Sequence, residues 1–298
     1  MRVFERGWLS ANNILLDDGC RTHLIDSGYC VHATQTVALV ENALGFKRPL
    51  NFLLNTHLHS DHCGGNAALK VRYPNLITVI PPGQADSVSI WDRNALSHQP
   101  TGQMCPRFTF DELLQPHSTV ESGKHKWQVH SAGGHDPHSV ILFEAEEKIL
   151  ISADALWEKG FGVVFPELEG VHAFSDVEKT LNLIEKLTPD IVIPGHGPVF
   201  QYQRLHMKTA RHRLEGFVKN PSKHANYAAK VLIKFKLIEW QKISIEYLMQ
   251  WAMNTSHLLT IHKGFFEKSV FKEWLSELLS ELERSKAASI QRGEIVNL

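Results

Sequence analysis

The residues with most chemistry to offer are His57, His59, Asp61 and His62, gathered in the run Thr56-His57-Leu58-His59-Ser60-Asp61-His62. Imidazole nitrogens and a carboxylate are the donors that divalent transition metals take. In a chain of this composition the run has a chance occurrence of about 0.002, so it reads as a site. It follows a short apolar strand expected over 52–54, where the chain must turn. His57 and His59 can then point one way while Asp61 and His62 swing to a second point. Two imidazoles alone hold a metal weakly; a third nitrogen and a further carboxylate make the site strong. Three other expected strand ends offer such donors: His135 in Gly133-Gly134-His135, Asp154 after the strand over 149–152, and His196 in Pro194-Gly195-His196-Gly197-Pro198. Loops gathered at one edge of a packed sheet would bring all of them together.

The chain that must position these groups has 298 residues, 18 of them histidine, with 31 Lys+Arg against 32 Asp+Glu. That length supports a large domain with a smaller companion. No apolar run is long enough for a membrane span, and the charged start Arg2, Glu5, Arg6 argues against a signal peptide. Cys20, Cys30, Cys63 and Cys105 contain no C-x-x-C pair and read as free thiols, which points to a cytoplasmic setting. Cys63 adjoins the histidine run and is expected to pack beneath it.

Up to about residue 204, short β-prone runs alternate with Gly/Asp/Pro turns and helices. A hairpin is expected over 13–25, a helix over 36–44, strands over 52–54, 77–80, 126–130, 140–144, 149–152 and 191–194, and a helix over 176–187. The stretch 83–116 lacks periodicity and reads as a functional loop. From 205 the pattern becomes helical, over 205–218, 225–235, 245–253 and 270–282, with a closing hairpin about Arg292-Gly293. We therefore expect a catalytic domain over 1–204 and a helical, winged-helix-like domain over 205–298. Residues 205–298 carry 15 Lys+Arg and 9 Asp+Glu, which makes that part basic (+6) and the first part acidic (−7).

With these motifs in order, the chain resembles the metallo-β-lactamase-fold hydrolase superfamily, whose H-x-H-x-D-H signature is His57, His59, Asp61 and His62. Its later histidine, aspartate and histidine match His135, Asp154 and His196, and Leu24-Ile25-Asp26-Ser27-Gly28 resembles its early strand and turn. The resemblance covers residues 1–204. It implies an α/β fold, an αββα four-layer sandwich, with two divalent metal ions at one edge. It further implies that His57, His59 and His135 hold the first ion, that Asp61, His62 and His196 hold the second, and that Asp154 bridges them. Zinc suits this nitrogen-rich set, and iron or manganese would also fit. Asp26 reads as a turn residue or a support for a ligand.

Coordination brings the pKa of water near 7, so a metal-bridging hydroxide oriented by Asp61 and Asp154 would be the nucleophile. His62 and His196 in the second set argue against a β-lactam substrate. The presence of His59, where the flavin-partnered di-iron reductases carry glutamate, argues against that branch. The pattern is closest to glyoxalase II-like hydroxyacylglutathione hydrolases, lactonases and β-lactamase-like endoribonucleases. We expect a hydrolase acting on a small thioester or lactone, with Trp157, Phe161, Phe165 and the 83–116 loop walling an apolar pocket. The alternatives are a phosphodiesterase or endoribonuclease gripping nucleic acid through the basic C-terminal part, and a mononuclear-iron persulfide dioxygenase. Arg204, Lys208, Arg211 and Arg213 are the cations a phosphate backbone or a small carboxylate would meet. The C-terminal helices would cap the pocket or form a homodimer, and nothing in the sequence calls for a membrane.

Overall fold

The computed structural model describes residues 1–45 and 47–298. Strands β1 (Arg2–Phe4), β2 (Asn13–Asp17), β3 (Thr22–Ile25), β4 (Phe52–Leu54), β5 (Ile77–Ile80) and β6 (Glu112–Leu113) form one sheet in that order. Pairing is antiparallel from β1 to β3 and parallel from β3 to β6. The second sheet holds β7 (Thr119–Ser122), β8 (His125–Ser131), β9 (Val140–Glu144), β10 (Ile149–Ala153), β11 (Ile191–Pro194) and β12 (Phe200–Gln201). Only β10 and β11 are parallel there.

Side-chain alternation explains the layers. Ile14 and Leu16 of β2, Ile25 and Leu54 point between the sheets and meet Val129, Leu142, Ile151 and Ile193. The intervening Leu15, Leu24 and Leu53 point outward, under α1 (Ala33–Leu44) and α3 (Asn66–Arg72). On the far side, Ile141, Phe143, Leu150 and Val192 are covered by α6 (Phe174–Leu187) and α7 (Arg204–Lys219). Both faces of the central strands are thus buried, which is why β2, β4, β5, β9, β10 and β11 read as short apolar runs, whereas β7 and β8 alternate buried and exposed side chains. The result is the αββα sandwich. The short helices α2 (Ser60–Cys63), α4 (Ala85–Ile90) and α5 (Phe165–Leu168) sit in its loops.

The remaining elements are α8 (Pro221–Trp240), β13 (Lys242–Ser244), α9 (Ile245–Met253), α10 (Ser256–Phe265), α11 (Phe271–Arg284) and the hairpin β14 (Ala288–Gln291) and β15 (Glu294–Asn297). The hairpin completes a three-stranded sheet in the order β13-β15-β14. Leu232, Leu248, Leu258, Leu275 and Leu278 make a common core, which runs on into Val163 and Leu168 of the sandwich loops. Among the described residues no helix is long and apolar enough to cross a membrane.

The helices are tied to the sandwich by a buried histidine. The Val164 N–H donates to Nε2 of His224, 3.1 Å away on α8. Burial, and then Arg213, pull the pKa of His224 down to about 4. The unfolded chain takes up that proton near pH 6.5 and the folded chain only near 4, so between those values acid favours unfolding. Denaturant titrations should show the resulting stability, about 3 kcal/mol, present above pH 6.5 and lost as pH falls to 4. H224Q should remove the His224 share of that slope and leave the shares of His98 and His257, which burial also pulls down to about 4; an unchanged slope assigns the effect elsewhere.

Candidate metal centre

Four loops converge at the carboxyl ends of β4, β8, β10 and β11. After β4, Asn55 and Thr56 lead into His57, and α2 begins directly after His59, carrying Asp61 and His62 on its single turn. The β8–β9 connection brings in His135. A register shift between Ile151 and Ala153 in β10, with Ala153 at φ +46°, turns the chain so that Asp154 enters from beside β11. A left-handed alanine is strained, and here the strain aims a carboxylate. His196 follows β11 through Gly195.

All seven residues singled out from the sequence meet. His59 Nδ1 lies 3.1 Å from His57 Nε2 and 2.8 Å from His135 Nε2. His196 Nε2 stands 3.0 Å from Asp61 Oδ2. Asp154 faces both sets: its Oδ2 is 3.3 Å from His135 Nε2, and its Oδ1 is 3.6 Å from His62 Nε2 and 3.8 Å from His196 Nε2. Within this centre, and among the described residues, three groupings of donors suit a metal ion, namely His57 with His59 and His135, Asp61 with His62 and His196, and His57 with His62 and Asp154.

The tautomers decide what the centre can hold. His135 Nδ1 donates to the Val163 carbonyl, which can only accept, so its Nε2 presents a lone pair to Asp154. His62 Nδ1 lies 2.7 Å from Asp26 Oδ2, and its Nε2 is buried with no hydrogen-bond partner. When the ring is neutral, a bare nitrogen in each case faces a carboxylate oxygen inside a buried site. Acceptor against acceptor repels unless a cation lies between them.

Burial sets the charge states. It holds His57 and His59 well below the ordinary imidazole value, with neighbouring imidazoles adding to the effect. Asp154 goes well below the usual carboxylate range, because His196 and His62 outweigh the burial that would raise it. His62 rises well above 6.5, since Asp26 and Asp154 outweigh burial. Its proton thus occupies the place a cation would take.

Asp26 is not among the converging donors; it orients His62 while accepting from the Thr56 backbone N–H at 2.8 Å and hydroxyl at 2.7 Å. Two glycines allow the close packing. A Cβ on Gly195 would strike Asp154 Oδ1 and His62, and one on Gly162 would strike His135. G195A should therefore weaken metal retention by at least about tenfold, a loss of the size seen when ligand support is removed. Metal content after dialysis would check this, and full occupancy would refute it.

A cavity of about 80 Å³ opens onto His59, Asp61, His135, Asp154 and His196. Trp157 and Phe165 wall it as the sequence suggested, but Phe161 is buried in the α6–α7 core. The 83–116 loop contributes polar Ser97, Thr101 and Gln103, while its Trp91 and Phe108 pack in a satellite core. Sequence reasoning missed Trp8, whose ring stacks on His196 with 5.5 Å between centroids, and Val231, Leu232 and Phe235 of α8. None of the α7 cations lines the cavity. Arg211 pairs with Glu185, and Arg213 lies over the rings of Tyr227, Phe217 and Phe161.

The model of the metallo-beta-lactamase superfamily matches residues 6–196, which contain all seven converging residues. The chain belongs to that superfamily. Among curated members it is 26% identical over 170 residues to a probable hydroxyacylglutathione hydrolase of Schizosaccharomyces pombe, covering 56% of this chain and 54% of that one. It is 24% identical over 168 residues to an acyl-coenzyme A thioesterase of Gallus gallus, covering 53% and 60%. The matched segment thus spans little more than half the length of either relative. A superfamily member from Thermus thermophilus, with a solved structure, superposes with a TM-score of 0.54 at 17% identity. That likeness covers 97% of this chain and 94% of the other, so the fold is shared through the C-terminal helices as well.

Proposed function

We propose that the protein is a dinuclear metallo-hydrolase that cleaves a small acyl thioester. The observation that carries the metal reading is Asp154, which turns one oxygen to His135 and the other to His62 and His196. His57, His59 and His135 would hold one divalent ion and Asp61, His62 and His196 the other, with Asp154 shared; zinc fits this donor set best. Bound there, such ions acidify water and polarise an acyl carbonyl.

The chain's own residues do the rest. Asp61 and Asp154 orient the attacking water by accepting its hydrogen bonds. Trp157, Phe165, Val231 and Leu232 hold the acyl group and exclude bulk water. Among the described residues no lysine or arginine lines the cavity, which suits a neutral acyl group better than a phosphodiester. A thiolate is a good leaving group, because a free thiol ionises near pH 8.5 and needs little help from an acid. The two curated relatives are both named for thioester hydrolysis, which supports the same class.

The test is a substrate panel with the zinc-loaded protein: acyl-coenzyme A and acyl-glutathione thioesters, lactones, and bis(p-nitrophenyl) phosphate. Thioester cleavage, followed by release of free thiol, should show the highest kcat/KM. Turnover confined to the phosphodiester would overturn the proposal, and turnover confined to lactones would move the substrate class.

A further inference from the structure

Beneath the histidine–aspartate centre lies a second set of donors that the hydrolytic reading does not use. Cys63, the last residue of α2, and Cys105 and His98, from the 91–111 segment, are all buried. Both sulfurs and one ring nitrogen of His98 lie within 4.8 Å of one another. The sulfurs are 3.8 Å apart. Two sulfurs each about 2.3 Å from a tetrahedral zinc ion stand about 3.8 Å apart, so the spacing at which the two thiols touch here also fits a metal-bound pair.

The histidine is prepared in the manner of a metal ligand. Its Nε2 donates to the Leu58 carbonyl at 3.0 Å, which leaves the lone pair on Nδ1. That Nδ1 is buried and has no hydrogen-bond partner among the described residues. The surroundings are apolar, with Leu58, Ile80, Val88, Leu96 and Phe108. An orphaned nitrogen there is costly unless something binds it.

We propose that Cys63, His98 and Cys105 bind a thiophilic divalent cation, zinc by preference, at a structural site distinct from the hydrolytic centre. As the cation enters, each thiol releases its proton to solvent. Two thiolates then balance the dication, so no net charge remains in the apolar pocket. The site would pin the 91–111 segment, which has no regular secondary structure over 91–111, to the helix carrying Asp61 and His62. That segment also supplies Ser97, Thr101 and Gln103 to the cavity, so the same staple would set one wall of it.

Cobalt substitution separates this site from the other, because the histidine–aspartate set contains no sulfur. The metal-free full chain, reduced and titrated with Co(II), should develop a near-ultraviolet thiolate-to-cobalt charge-transfer band. The band should vanish in C63S and C105S and persist in H59A, and the cysteine variants should retain one metal equivalent fewer than wild type. Cobalt uptake by the wild-type chain without that band would overturn the proposal, and needs no variant to fold. A band surviving in the C63S/C105S double variant would also overturn it, as would loss of two hydrogens by mass on mild oxidation together with an unchanged metal count, which would make the pair a disulfide couple.

Discussion

H59A should lower thioester hydrolysis by about three orders of magnitude, the worth of several kcal/mol of charge stabilisation at the reacting carbonyl. His59 sits where the first set closes, 3.1 Å from His57 Nε2 and 2.8 Å from His135 Nε2. It also faces the cavity, with 13% of its side chain exposed. Removing it takes away a ligand without opening a hole in the core, so circular dichroism and the denaturation midpoint of the metal-free chain should change little. Dialysis of wild type against a chelator should produce the same loss, reversed by zinc. Reloading should be harder in acid, because the cation must displace a proton from the His62 nitrogen that faces Asp154, while Asp26 keeps the other. A variant with an unaffected rate would remove the metal centre from the mechanism altogether.

The centre was legible in the sequence for a local reason. His57 to His62 are contiguous, Asp154 and His196 each follow a short apolar strand, His135 follows the alternating strand β8, and all three lie next to a turn or glycine, so strand-end geometry alone could bring them together. The β2–β3 hairpin and the buried strands β4, β5, β9 and β11 were equally plain, because these strands are covered on both faces and are largely apolar. The cavity walls were not. Trp8 lies far along the chain from His196, and Val231, Leu232 and Phe235 read as an ordinary helix core; only the docking of α8 gives them a second role. Helix α10 escaped notice because His257 and His262 interrupt its apolar face, yet both fold inward, His257 onto Phe165 and His262 between Phe271 and Trp274. The start of α8 was misplaced for want of weight on Asn220-Pro221. There the asparagine side chain accepts from the Lys223 N–H and proline opens the helix.

The substitution D26N should cost the second metal while leaving the fold intact. Asp26 uses Oδ1 for the Thr56 backbone N–H, a donor that cannot reverse, and Oδ2 for His62 Nδ1 and the Thr56 hydroxyl. Asparagine tolerates the φ of +57° found there, so the backbone has no reason to move. Its carbonyl oxygen must stay on the Thr56 N–H, which turns its NH2 toward His62. Nδ1 of His62 must then accept, and its proton passes to Nε2, the nitrogen aimed at Asp154 Oδ1. A protonated Nε2 cannot bind a metal. The loss should be about 10–100-fold in affinity at the second site, with the first set of three histidines still filled. D26A separates the tautomer from the packing: it abolishes the hydrogen bond without imposing a donor, so His62 can still offer Nε2. Its cost should fall on stability, about 1–3 kcal/mol for the stranded Thr56 N–H and about 1–2 kcal/mol for an alanine held at φ +57°. Metal content at fixed free zinc and denaturation midpoints measured on both variants give the answer. If D26N keeps both ions as tightly as wild type, the proton on His62 Nδ1 is not what prepares Nε2.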